Sequence, residues 1–182
     1  GVPLGGVRGD LLAVGHVGER AFDLAASLMA RTVSEHKTVR LICGHNRFDP
    51  YRVARRAKRR GVRGEDALRA IRIARAFTAF QLAELIARLA ADESSELIVI
   101  SGLCSSFCDQ DVPLVDAARL FYRTLWRIVE LAHGSSTILL VQGPMPVSDR
   151  RAYFLKDLCH AADIVLRLGG QMAEALAAAH RN

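Results

Sequence analysis

Leu97-Ile98-Val99-Ile100-Ser101 decides the fold class. Its apolar residues run without alternation, so a strand here is covered on both faces. The same signature recurs in Leu11-Leu12-Ala13-Val14, in Thr38-Val39-Arg40-Leu41-Ile42-Cys43, in Thr137-Ile138-Leu139-Leu140-Val141 and in Asp163-Ile164-Val165-Leu166-Arg167-Leu168. Between these runs the apolar period lengthens to that of a helix. Phe22, Leu24, Ala25, Leu28 and Met29 predict a helix from Glu19 to His36, and Leu82, Leu85, Ile86 and Leu89 predict another from Phe80 to Asp92. The longest helix is expected from Leu114 to His133, with Leu120, Leu125, Ile128 and Leu131 inward, and a further one from Asp149 to Ala161. Pro50 behind Asp49 suits a helix start with an aspartate cap, running through Arg60. Asp66 to Ala76 suits a helical turn leading into a short strand, Gly169-Gly170 a turn, and the alanine-rich tail from Gln171 a helix. Buried strands alternating with helices predict an α/β fold: a mainly parallel sheet flanked by helices, with ligands at the carboxyl ends of the strands, after Val14, Ile42, Ile100 and Val141.

The chain has 182 residues, the size of one domain, and residues 1–182 are read as a single unit. With 51% hydrophobic and 24% charged residues it has globular composition, which excludes a disordered tail. Apolar runs fall well short of the roughly 20 residues that span a bilayer. No basic-then-apolar signal segment opens the chain, so no membrane role and a cytoplasmic location are expected. Cys43, Cys104, Cys108 and Cys159 are too scattered for a disulfide framework. The net charge is +6, and it is unevenly spread: between Arg47 and Arg75 eleven Lys and Arg residues face three acids, so that segment carries the whole basic excess.

After the first strand, Gly15-His16-Val17-Gly18-Glu19-Arg20-Ala21-Phe22 has the placement of a phosphate loop, GxxxxGK[ST]. Taken alone, two glycines make only a strand-to-helix turn. The wider text adds Gly5-Gly6-Val7 and Gly9 before the strand, Phe48-Asp49-Pro50-Tyr51-Arg52-Val53, Ala74-Arg75-Ala76-Phe77 with Gln81-Leu82, Leu97 to Ser101, Leu140-Val141-Gln142, and His160-Ala161-Ala162 before Val165-Leu166-Arg167-Leu168. In this order the segments resemble the RecA/RadA recombinase family, in its RadA-like branch, over nearly the whole chain. The resemblance implies a RecA-like P-loop NTPase fold, with Gln142 where the family senses nucleotide and with Leu97 to Ser101 as the Walker B strand.

The departures from that family are systematic. The lysine of the phosphate loop is Ala21 and its magnesium-binding Ser/Thr is Phe22; the Walker B aspartate is Ile100; the water-activating glutamate after the second strand is His45. A methyl and a phenyl ring can neither hold a phosphate nor ligate a hard cation, and phosphoryl transfer depends on these charges. No ordinary ATP hydrolysis, no catalytic residue, no metal site and no cofactor are expected. A vestigial nucleotide site would comprise Gly15, Gly18, Arg20 and Gln142, with Arg20 in the lost lysine's role.

The predicted helix from Pro50 carries Arg52, Arg55, Arg56 and Arg59 at i, i+3, i+4 and i+7, a continuous positive face that Lys58, Arg60 and Arg63 widen. Such a face binds phosphate backbones or an acidic partner. Interleaved aromatics for base stacking are not part of this expectation. The family's DNA loops correspond here to Gly102–Pro113, which holds Asp109 and Asp111, and to Gly143–Asp149, followed by Arg150 and Arg151. Cys104 and Cys108, with His45 on a strand end that the resemblance makes adjacent, form only a weak metal or nucleophile pattern, and small buried thiols are the better reading. The leading expectation is a catalytically degenerate RecA/RadA-like paralog in DNA recombination or repair, with DNA and a recombinase or paralogous protein as partners, and with an oligomer compatible. The alternatives are a nucleotide sensor or small enzyme reusing the cleft, or a regulatory interaction module.

Overall fold

The computed structural model of the chain describes residues 10–16, 20–44, 48–89, 96–109, 111–134, 137–142 and 149–168. Gly18, His45, the loop from 143 to 148, the Gly169-Gly170 turn and the tail expected as a helix lie outside the described residues. Six strands form one sheet: β1 (Leu11–His16), β2 (Val39–Cys43), β3 (Ile71–Arg75), β4 (Leu97–Ser101), β5 (Thr137–Gln142) and β6 (Ile164–Leu168). Their order is β3-β2-β4-β5-β1-β6, and every neighbouring pair is parallel. β4 and β5 therefore stand between β1 and β2, and the ends of β2 and β4 meet with Cys43 opposite Ser101.

The period-two alternation of each strand feeds two separate cores. Leu12, Val14, Val39, Leu41, Cys43, Val99 and Val141 pack under α1 (Arg20–Ser34), α2 (Pro50–Lys58) and α3 (Gly64–Arg69). Leu11, Ala13, Ile42, Ile98, Ile100, Ile138 and Leu140 pack under α4 (Ala79–Ala87), α5 (Leu103–Phe107), α6 (Leu114–Gly134) and α7 (Ala152–Ala161). Each such Leu, Ile or Val fully removed from water contributes roughly 1.5–3 kcal/mol. Among the described residues no helix is long and apolar enough to cross a membrane.

Local signals set the element ends. Asp49 caps α2 by accepting from the Tyr51 N–H at 2.9 Å, with Pro50 in the first turn. Thr78 caps α4 by accepting from the Gln81 N–H at 3.2 Å, and Gln81 Oε1 in return accepts from the Phe77 N–H at 2.9 Å. This resembles a capping box with its return bond one residue earlier, at Phe77 rather than at the Thr78 cap, and it gives the glutamine after Ala74-Arg75-Ala76-Phe77 a local reason. α1 stops two residues before the expected His36, which instead adopts φ 59°. The Lys37 N–H reaches the Thr32 carbonyl and the His36 N–H the Val33 carbonyl, a Schellman closure with histidine where glycine is usual.

The helical turn and short strand expected from Asp66 to Ala76 are present as α3 and β3, joined at Ala70. β3 lies at the sheet edge and exposes Arg72, Ile73 and Arg75. One expectation is corrected. Gly102–Pro113 is not all loop, because α5 begins directly at Gly102, whose φ of 75° suits glycine. Leu103, Cys104 and Phe107 of that short helix are fully buried.

Candidate nucleic-acid interface

At the carboxyl edge of the sheet, register places Gly15 of β1 opposite Gln142 of β5. The two described strand-end positions of the expected nucleotide site are thus neighbours, and Arg20 is exposed at the start of α1. Between α1, α2 and the sheet lies a cleft of about 260 Å³. Its lining is mainly apolar, with Phe22, Met29, Leu41, Phe48, Val99 and Val141 contributing. Its polar groups are Ser101, Asp49 and Arg52, and the last two are bound to each other, Arg52 Nε to Asp49 Oδ2 at 3.2 Å. A phenyl ring stands where the resemblance places a magnesium ligand. Ile100 is wholly buried in the core on the opposite face from α1, where a carboxylate would be stranded, and Ser101 is the strand-end residue lining the cleft. Gly44 closes the adjacent edge: its N–H donates to the Ser101 carbonyl at 2.7 Å, and a Cβ there would lie 2.8 Å from Ser106 Oγ.

The cysteines divide between the cores. Cys43 belongs to the α1–α3 side and Cys104 to the other, so they share no site. Burial pushes the Cys104 thiol well up, with Cys108 and Cys159 close enough to add to the effect. Burial also raises Cys108, against the neighbouring Arg151 charge, and raises Cys43, against hydrogen bonding with Ser101 and the charge of Arg75. Thiols held protonated in this way are poor nucleophiles and poor metal ligands. Among the described residues no three His, Cys, Asp or Glu side chains are grouped to hold a metal.

The positive face of α2 is not the continuous free surface that spacing predicts. Arg52 and Arg56 are half-buried and turned onto α1: both donate to Asp23 Oδ1, at 3.2 and 3.0 Å, and Arg56 Nε donates to Ser27 Oγ at 2.8 Å. These two arginines hold α2 against α1. Arg63 pairs with Asp66, at 2.7 Å from Nε. Arg55, Lys58, Arg59 and Arg60 are exposed and have no acidic partner among the described residues. Sequence reasoning missed an aromatic here: Tyr51 is 74% exposed, one turn before Arg55. The i, i+4 spacing of Tyr51 and Arg55 carries the signal, on the same helix face. Arg59 and Arg60, with Arg56 and Ser27, also line an open groove between α2 and α1.

The last two sequence-predicted contacts separate. Arg150 is exposed in the short 3-10 turn Asp149–Arg151, before α7 and on the far side of the sheet from α2. Arg151 is only 6% exposed and is spent on backbone: its guanidinium donates to the carbonyls of Phe107 and Asp109, each at 2.8 Å, and of Val112. It clamps the chain between α5 and α6 and is not a surface contact.

No protein-family model matches this chain, and no curated protein matches it either. The chemistry that remains is electrostatic. Four exposed cations without an acidic partner among the described residues, with an exposed tyrosine, are the kind of surface whose contacts with a polyanion weaken steeply as salt rises.

Proposed function

We propose that the chain is a RecA/RadA-like core that has lost phosphoryl transfer and serves recombination or repair as a nucleic-acid-binding module, alone or beside a recombinase. The carrying observation is the cluster Arg55, Lys58, Arg59 and Arg60, exposed and unneutralised among the described residues. The RecA-like part of the reading is supported by the pairing of β2 with β4, since the resemblance requires those strand ends to be adjacent, and by Gly15 opposite Gln142. The loss of catalysis is supported by the apolar cleft and by Phe22, Ile100 and Ala21 at positions that need charge or oxygen.

The test is fluorescence anisotropy with labelled single- and double-stranded 30-mers. Four neutralised phosphates give a log–log salt slope of about −3 to −4 on duplex. Charge reversal at Arg55, Lys58 and Arg59 should weaken binding at least tenfold and flatten that slope. Magnesium-dependent ATP turnover by the purified chain should be absent. Binding that ignores both salt and the triple reversal overturns the nucleic-acid reading; robust turnover overturns the degenerate-core reading.

A further inference from the structure

On the other side of the sheet, α6 carries a second surface that nucleic-acid binding does not use. Its inward face is full: Ala117, Leu120, Phe121, Leu125, Ile128 and Leu131 are buried. Its outward face still bears large apolar residues. Val115 and Trp126 are each 70% exposed and Tyr122 is 39% exposed. With Arg119 these fall at i, i+4, i+7 and i+11, one stripe along the helix, and Arg123 flanks it. Tyr122 is held in place by donating its hydroxyl to Asp157 of α7 at 2.6 Å. Arg127 is spent on the Leu89 carbonyl at 2.6 Å and on Glu130 at 3.3 Å. Arg119 and Arg123 are exposed and have no acidic partner among the described residues.

Tryptophan, tyrosine and arginine are the residue types that dominate binding hot spots, and an exposed tryptophan loses little side-chain entropy on docking. The stripe spans about 17 Å of helix, and its three apolar residues expose on the order of 400 Å². That is well below the roughly 800 Å² per side of a stable globular interface, so a second copy of the chain does not suit it. A second copy would also bring another +6 of like charge. Phosphate backbones suit it poorly as well, because the stripe offers only Arg119 and Arg123, too few cations for the many phosphate contacts that carry nucleic-acid affinity. We propose that the outer face of α6 docks a short acidic amphipathic segment of a partner protein, whose apolar side covers Val115, Tyr122 and Trp126 and whose carboxylates pair with Arg119 and Arg123.

The test selects a displayed random peptide library on the whole chain, with counter-selection on Trp126→Ala. Enriched peptides should combine Asp or Glu with aromatic or aliphatic residues at helical spacing. Trp126 is the sole tryptophan, so a synthetic copy of the leading peptide should blue-shift its emission. The double reversal Arg119→Glu with Arg123→Glu should weaken that peptide at least tenfold while leaving binding to labelled DNA through α2 unchanged. It keeps the claim testable even where Trp126→Ala folds poorly. Enrichment that does not depend on Trp126, enrichment of basic peptides, no enrichment at all, or the same emission shift from a thymidine 20-mer would each overturn the proposal.

Discussion

The two helical layers of this sheet bury their apolar faces by different means. Under α1–α3 the core is small-residue packing: Ala21, Ala25, Ala26, Ala30, Ala57 and Ala67 let the helices sit close, and the Arg52 and Arg56 pairs with Asp23 fasten α2 to α1. Under α4–α7 it is ring packing: Phe121 lies 5.4 Å from Phe107 and 4.5 Å from Phe154, centroid to centroid. Charge is therefore partly structural on the first layer, and two of the arginines that sequence reading assigns to a ligand belong to the fold. On the second layer the rings already fill the core, so Trp126 and Val115 are left over from folding. A free cation on α2 and a free tryptophan on α6 are informative for the same reason: the layer beneath has no use for them.

The largest test of this contrast is Phe121→Ala. It should cost about 3–5 kcal/mol in urea unfolding, because three rings lose their shared contact and the void cannot collapse under a rigid sheet. A cost under about 1 kcal/mol would erase the distinction between the layers. Next comes Arg151→Ala, expected to cost about 2–3 kcal/mol, since three backbone carbonyls lose a charged donor. The same variant should leave nucleic-acid affinity unchanged, which separates it from Arg59→Glu.

Asp23→Ala should cost about 1 kcal/mol, because its ion pairs with Arg52 and Arg56 are partly solvated. Nucleic-acid affinity should hold or rise as two arginines are freed. A fall would mean that the α1–α2 junction itself shapes the binding surface. The smallest effect is that of Tyr122→Phe, about 0.5 kcal/mol at neutral pH. The hydrogen bond to Asp157, with burial adding to it, raises the Tyr122 hydroxyl from its ordinary value near 10 to about 12. A raised value in the folded state means this contribution is whole below pH 10 and is lost as pH climbs toward 12. Ultraviolet titration should show a late tyrosine phase near 12 that vanishes in Tyr122→Phe.

Most strands and long helices were legible because their signals are local and redundant: unbroken apolar runs such as Leu97 to Ile100, helical spacing such as Leu120, Leu125, Ile128 and Leu131, and the Asp49–Pro50 start of α2. α5 was not, because its five residues carry serines between Leu103 and Phe107 and its start depends on the positive φ of Gly102. The candidate site was legible by composition only. Spacing puts Arg52 and Arg56 on one stripe with Arg55 and Arg59, but which of them faces Asp23 depends on how α2 lies against α1, a contact 29 to 33 residues distant in sequence.

By itself the sequence determined an α/β chain with buried parallel strands and a basic segment around α2. Those properties follow from residue types and short-range periodicity. Only the tertiary structure decided that Arg151 is a buried clamp, that two arginines of α2 are fasteners while Arg55, Lys58, Arg59 and Arg60 stay free, and that α6 keeps a tryptophan in water. The physical reason is that a charge or ring has no role until its neighbours are known: the same guanidinium is structural beside a carboxylate or carbonyl from another element, and available for binding when only solvent surrounds it.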